Sequence, residues 1–322
     1  MTDHNVITVE NLVKHFAAPG KRGSVVHAVD DVNFSIKRGE TLGLVGESGC
    51  GKSTVAKTIV RIHKPTSGTV FLNSDDITGM TEKELKPFRK KMQMVFQDPY
   101  SSLNPRMTVL KLISEPLVAQ GIVSSSGQAR EMVVDMLNNV GLSAEHCSRY
   151  PHEFSGGQRQ RICLARALIL EPEFVICDEP ISALDVSIQA QVINLLQKFK
   201  QEQSLTYLFI AHDLSMVRYV SDTVGVMYLG KMMEICDSEQ IYKQPLHPYT
   251  QGLLAAIPIP DPVAARQSRT TAIEGDLPSP ISPPTGCRFH TRCDKCMNIC
   301  KKEEPLLRDV GNGHYVACHL QT

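Results

Sequence analysis

The sequence predicts an α/β fold built around a parallel sheet, and three observations carry that prediction. Short apolar runs recur, at Thr41–Val45 (TLGLV), Met92–Phe96 (MQMVF), Glu173–Cys177 (EFVIC), Thr206–Ile210 (TYLFI) and Thr223–Tyr228 (TVGVMY). They are rich in β-branched and aromatic residues, as strands covered on both faces are. Helical spacing separates them. After Lys52, residues Val55, Ile59 and Ile62 share one face, and after Gln158 so do Ile162, Ala165, Leu168 and Ile169. A glycine-rich turn joins the first strand to the first helix, and alternation of this kind belongs to the α/β class.

Composition bounds the rest. At 322 residues, with 42% hydrophobic and 21% charged, the chain has enough apolar surface for a sizeable core, so chain-wide disorder is excluded. Lys+Arg and Asp+Glu both number 34, which argues against a nucleic-acid partner. No apolar run reaches the roughly 18 residues of a membrane span. The N-terminus MTDHNVITVENLVKHF has no continuous apolar stretch of signal-peptide type. The chain is therefore expected in the cytoplasm, and a membrane role would need a partner that crosses the bilayer.

Two regions are expected. Residues 1–256 carry the α/β alternation, interrupted over 98–172 by a mostly helical insertion with Pro99, Pro105, Pro116 and Pro151 as breaks. Residues 257–322 begin with a proline-rich stretch (Pro258, Pro260, Pro262, Pro278, Pro280, Pro283, Pro284), where regular elements are not expected. Five of the ten cysteines fall within 287–322. The other five read as small buried apolar residues.

Gly46-Glu47-Ser48-Gly49-Cys50-Gly51-Lys52-Ser53, followed by Thr54, fits G-x-x-x-x-G-K-[ST] between a strand and a helix. The glycines let backbone N–H groups turn inward toward phosphate oxygens, and the helix N-terminus adds positive partial charge. Lys52 is expected to reach the β- and γ-phosphates of ATP, and the Ser53 hydroxyl to ligate Mg²⁺. Phe174–Glu179 is an apolar strand ending in two carboxylates. Buried acids there are costly unless they meet a cation. Asp178 is expected to partner Mg²⁺, and Glu179 to polarise a water against the γ-phosphate.

Between these motifs lies Phe154-Ser155-Gly156-Gly157-Gln158, followed by an Arg-rich helix (RQRICLARAL). This resembles the signature of ATP-binding-cassette (ABC) ATPases. The resemblance implies an ABC-type nucleotide-binding domain: a RecA-like parallel core, an N-terminal antiparallel β region and a helical subdomain. It also implies two cassettes packed head to tail, with Ser155, Gly156, Gly157 and Gln158 of one completing the nucleotide site of the other. Gln97 then stands at the Q-loop, sensing Mg²⁺ and γ-phosphate. Ala183-Leu184-Asp185 stands at the D-loop. His212 would hold the γ-phosphate and attacking water, and Phe16 would stack on adenine.

QDPYSSLNPRMTV, YPHEFSGGQRQRI, CDEPISALDVSIQAQV, HPYTQGLLAAIPIPDP and GDLPSPISPPTGCRFHTRC narrow the resemblance to oligopeptide/dipeptide importer ATPases. That branch implies a bacterial inner-membrane complex of two permease subunits, a second, related ATPase and an extracytoplasmic substrate-binding protein. This chain would then sit peripherally on the cytoplasmic face. Related importers serve nickel, glutathione or sugars, so the cargo stays open. A soluble ABC ATPase acting on nucleic acid or ribosomes is the alternative class. The branch also implies a small Cys-rich extension that binds a [4Fe–4S] cluster through Cys287, Cys293, Cys300 and Cys318, spaced C-x5-C-x6-C-x17-C. Cys296 is a fifth thiol and is read as surplus. Zn²⁺ remains a rival by ligand type.

Overall fold

The first long element is a strand, β1 (Asn5–Ala17), followed by β2 (Val25–Lys37) and the fully buried β3 (Thr41–Val45). Helix α1 (Lys52–Ile59), strands β4 (Ser67–Leu72) and β5 (Asp75–Asp76), helix α2 (Glu82–Lys91) and strand β6 (Met92–Val95) come next. Four helices then run without an intervening strand: α3 (Pro99–Ser102), α4 (Val109–Gln120), α5 (Ser126–Asn139) and α6 (Gly156–Leu168). The order continues with β7 (Phe174–Asp178), α7 (Val186–Gln203), β8 (Thr206–Ile210), α8 (Leu214–Val220), β9 (Thr223–Tyr228) and β10 (Lys231–Asp237). It ends with α9 (Ser238–Lys243), α10 (Pro248–Ala255), β11 (Arg308–Asp309) and β12 (Tyr315–Val316). This computed structural model describes residues 5–18, 20, 23–182, 184–212, 214–257 and 273–321.

The chain divides into two units. One comprises Met1–Ile7, Ile36–Gly39 and Leu72–Leu208; the other comprises Thr8–Ser35, Glu40–Phe71 and Phe209–Thr322.

In the first unit β6 and β7 pair in parallel, Met92 opposite Phe174 and Val95 opposite Cys177. All five residues of β7 are buried, as a strand covered on both faces requires. Glu173, just before it, accepts hydrogen bonds from Arg38 (2.8 Å) and Asn73 (3.3 Å). Helix α6 buries Ile162, Cys163, Leu164, Ala165, Ala167 and Leu168, more than one face, because α4, α5 and α7 all pack on it. Pro116 corrects the expectation of a break: it lies inside α4. Losing one N–H and crowding the preceding turn costs a helix about 3 kcal/mol. Burial of Leu112, Ile113 and Leu117 on the same helix offsets that cost.

In the second unit the strand order is β11-β12-β10-β9-β3, while β2, β1 and β4 are successive neighbours in another sheet. β3 runs parallel to β9, Leu42 opposite Thr223 and Val45 opposite Val226. β9 and β10 form an antiparallel hairpin whose register shifts between Met232 and Glu234. In the proline-rich stretch the described residues 273–284 form no helix or strand, and the segment after it adds a short strand to the sheet. β12 adds to the edge of β10, Glu234 opposite Val316, and Ala317 N–H donates to Met233 O (2.8 Å). A strand of two residues is too short to produce a readable alternation. Most of the expected proline-rich stretch, 258–272, lies outside the described residues.

Two fully buried polar groups tie this unit together. Glu234 accepts N–H bonds from Leu246 (2.8 Å) and His247 (3.0 Å) and pairs with His314 Nε2 (2.6 Å) beside β12. His247 caps α10 by accepting from Tyr249 N–H (3.0 Å). Burial lowers its pKa from 6.5 to about 3, so its ring is neutral in the folded chain. Between about pH 6.5 and 3 the unfolded chain binds this proton and the folded chain does not, so stability rises with pH. His247→Asn, which can still cap, is expected to remove this group's share of acid sensitivity. That share is at most about 1.4 kcal/mol per pH unit below 6.5, and denaturant unfolding at pH 7.0 and 5.5 measures it.

Candidate functional site

In the second unit, β3 ends directly in the glycine-rich turn and α1 begins at Lys52. The turn needs two of its glycines for steric reasons. Gly46 has φ +150° and a Cβ there would lie 2.1 Å from Met227 O. Gly51 has φ +110° and a Cβ there would lie 2.2 Å from Ala28 O. Backbone from β9 and β2 thus walls the turn on two sides, and no side chain fits between. Lys52 is 4% exposed. Its Nζ donates to Gly46 O (2.6 Å), Glu47 O (3.1 Å) and Cys50 Sγ (3.7 Å). The ammonium is thus held by carbonyls of its own loop. Ser53 and Thr54 follow in the first turn of α1. Glu47 N–H donates to Tyr249 Oη (2.9 Å), a contact across 202 residues that no local sequence pattern announces.

The same unit holds His212, exposed on the bend after β8, and Phe16, half-buried on β1. The edge of the Phe16 ring meets His63 (centroids 5.2 Å), and Lys14 Nζ lies 4.7 Å from its centroid.

The first unit holds the carboxylate pair. Asp178 closes β7 and is 2% exposed. Glu179 follows at φ +47°, a left-handed conformation rare for a residue with a side chain. Gln97 Nε2 donates to Glu179 Oε2 (2.8 Å), so the structure brings Gln97 and Glu179 together as hydrogen-bond partners.

The Ser155–Gln158 segment forms the N-terminus of α6. Ser155 is the N-cap, accepting from Gln158 N–H (3.4 Å), while Gln158 Oε1 accepts from Ser155 N–H (3.1 Å). This reciprocal box is a strong helix start. Gly157 packs closely on α7: a Cβ would lie 2.4 Å from Ile188 Cγ2, so that side chain would have to shift. Gly156 is looser, with Leu184 Cδ2 at 3.6 Å. Asp185 is the exposed N-cap of α7, and Ala183 lies outside the described residues.

Residues 29–182 match the family model "ABC transporter", and residues 233–300 match "Oligopeptide/dipeptide transporter, C-terminal region". The oligopeptide transport ATP-binding protein AppF of Bacillus subtilis is 53% identical over 296 residues, 92% of this chain and 90% of the relative. OppF of the same organism is 49% identical over 315 residues, 97% and 96% of the two chains. The chain belongs to the ATP-binding subunits of the oligopeptide/dipeptide ABC transporters.

The fold agrees. A dimeric post-hydrolysis state of the ATP-binding cassette MJ0796 bound to ADP and Pi superimposes with TM-score 0.66 at 28% identity, over 72% of this chain and 98% of that one. The cbiO1 subunit of Clostridium perfringens gives 0.65 at 27% identity, over 75% and 92%. The chain is thus an ABC-type ATPase, and among its described residues no helix is long and apolar enough to cross a membrane.

Gly51→Ala is expected to abolish binding of a fluorescent ATP analogue. The added methyl must displace the Ala28 carbonyl at a backbone angle that strains alanine, and equilibrium titration reads the loss.

Proposed function

We propose that this chain hydrolyses ATP to drive uptake of oligopeptides or dipeptides. The observation that carries the substrate class is the match of residues 233–300 to the C-terminal region of oligopeptide/dipeptide transporters, on a chain related to AppF and OppF over nearly its whole length. The chain would act on the cytoplasmic face of a bacterial inner membrane. Its partners would be two permease subunits, a second related ATPase and an extracytoplasmic binding protein.

The residues take these roles. Backbone N–H groups of Gly49, Cys50 and Gly51, with Lys52, bind phosphate oxygens, and Lys52 exchanges its loop carbonyls for them. Mg²⁺ suits the hard-oxygen set of Ser53, Asp178 and Gln97, where it would neutralise phosphate charge. Glu179 takes up the proton of the attacking water, and the amide of Gln97, bonded to that carboxylate, sets its orientation. His212 holds the γ-phosphate, and Phe16 stacks on adenine. Ser155, Gly156, Gly157 and Gln158, beside Asp185, face the nucleotide of the partner cassette.

Glu179→Gln keeps the Gln97 contact possible but removes the base. It is expected to retain ATP binding, lock the two cassettes together and slow hydrolysis by about 100-fold or more. Ser155→Arg is expected to leave ATP affinity of this chain intact while stopping hydrolysis at the site the partner holds. Phosphate release and size-exclusion chromatography check both. Purification with the neighbouring membrane subunits, followed by uptake assays with peptides, nickel, glutathione and sugars, tests the cargo. Peptide-independent uptake of another solute would overturn the peptide reading.

The C-terminal thiols support a second part of the proposal, a [4Fe–4S] cluster on Cys287, Cys293, Cys300 and Cys318. Burial pushes the Cys287 thiol up to about 12, and Cys300, Cys318 and Cys293 add to that as electrostatic neighbours. Cys287 N–H also donates to Cys300 O (2.8 Å). Three of the four thiols are buried and Cys293 is partly exposed; a cationic iron–sulfur core would convert them to thiolates and supply a structural clip. Cys296 instead points its Sγ toward Met297 O (3.5 Å). A single Zn²⁺ needs sulfurs roughly 4 Å apart. The described groups whose donor atoms all lie within 4.8 Å of one another are His15–His27–Asp30 and Glu234–Cys236–His314, with none of these thiols. Anaerobically purified protein is expected to absorb in the visible and to contain iron and sulfide. Cys296→Ser should keep both and Cys300→Ser should lose both. Colourless protein with stoichiometric zinc would overturn the cluster.

A further inference from the structure

We infer that Arg292 is a positioning residue for the phosphate loop: it holds the Glu47 carboxylate away from incoming phosphate and thereby ties nucleotide affinity to the Cys-rich region. The inference rests on that loop binding ATP and goes beyond the loop's own residues.

Arg292 immediately precedes Cys293 and is only 6% exposed. Its guanidinium forks onto Glu47, Nη1 to Oε2 at 2.7 Å and Nη2 to Oε1 at 3.0 Å. Two further donors are used: Nη1 also reaches Tyr228 Oη (3.4 Å) and Nε reaches Glu274 O (3.2 Å). A planar cation with its donors so placed fixes both the position and the plane of the carboxylate. Glu47 is the second residue of the loop, and its own carbonyl accepts from Lys52 Nζ.

The loop between Cys287 and Cys293 is anchored beside this contact. Phe289, 2% exposed, packs against Tyr228 (centroids 5.2 Å) and Tyr249 (5.2 Å). Tyr249 is the residue that accepts the Glu47 N–H. Arg288 pairs with Asp30 on β2, and His27 N–H donates to Pro280 O (2.9 Å). Side chain and backbone of Glu47 are therefore both held by groups outside the glycine-rich turn.

A carboxylate on a loop that receives a polyphosphate opposes binding by like-charge repulsion, unless a cation neutralises it and holds it aside. Without Arg292 the carboxylate is released, half-buried, to repel phosphate or to compete for Lys52. A purely mechanical buttress behaves differently: its loss would not depend on the charge of Glu47.

The full-length chain is titrated with a fluorescent ATP analogue, and hydrolysis is followed in the assembled transporter. Arg292→Ala is expected to raise Kd by about tenfold, with KM rising and kcat changing less than about twofold. Arg292→Lys, a cation without the fork, should recover part of the affinity. In the Glu47→Gln background the same Arg292→Ala change should alter Kd by less than about twofold. Arg292→Met keeps the aliphatic stem packed and replaces alanine if the latter unfolds the region. Equal affinity of Arg292→Ala and the parent chain overturns the inference. So does an undiminished loss in the Glu47→Gln background, which would make Arg292 a buttress only. A parent chain that binds no nucleotide overturns the ATP reading itself.

Discussion

The phosphate loop depends on a steric constraint before it depends on any charge. Gly46 and Gly51 adopt positive φ, each with a backbone carbonyl where a side chain would begin, Met227 O and Ala28 O. Those carbonyls belong to β9 and to β2, so the turn takes its shape from strands remote in sequence. The parallel register of β3 on β9 sets the position of Met227, and burial of all five β3 residues makes that register costly to slip. Lys52 enters a loop already formed and is held by its carbonyls. A backbone fixed in this way is preorganised.

The carboxylate and signature segments follow the same rule in the other unit. Glu179 sits at φ +47°, a strained angle that β7 and the Gln97 bond hold in place. Gly157 looks like a residue chosen for nucleotide contact, yet it also lets α6 approach α7, since a Cβ there would push Ile188 Cγ2 aside at 2.4 Å. The reciprocal Ser155–Gln158 box likewise starts α6 whether or not a partner is present. Residues of a family motif can therefore be structural and functional at once.

The C-terminal region is built into its unit by polar contacts that a small hydrophobic tail could not replace. Glu234 takes N–H bonds from the turn before α10 and pairs with His314 in full burial. Without His314 the buried Glu234 would keep its two N–H bonds, but without Glu234 the ring of His314 would lose this partner in full burial, which specifies where the region docks. The Arg288–Asp30 pair, Phe289 and the β10–β12 pairing act over the same surface.

What the sequence determined by itself was whatever depends on neighbours within a few residues. The five apolar runs are strands within a residue or so of the expected bounds, because continuous β-branched stretches have few other stable uses. The glycine-rich turn was legible from spacing, and the Ser155 start of α6 from its motif. Tertiary structure alone decided that α4 runs through Pro116, that β12 joins β10, and that Tyr249 and Arg292 reach Glu47 across 202 and 245 residues. Those outcomes rest on burial and on donor–acceptor geometry between distant segments. No local periodicity encodes such contacts, since their energy exists only after the chain has closed.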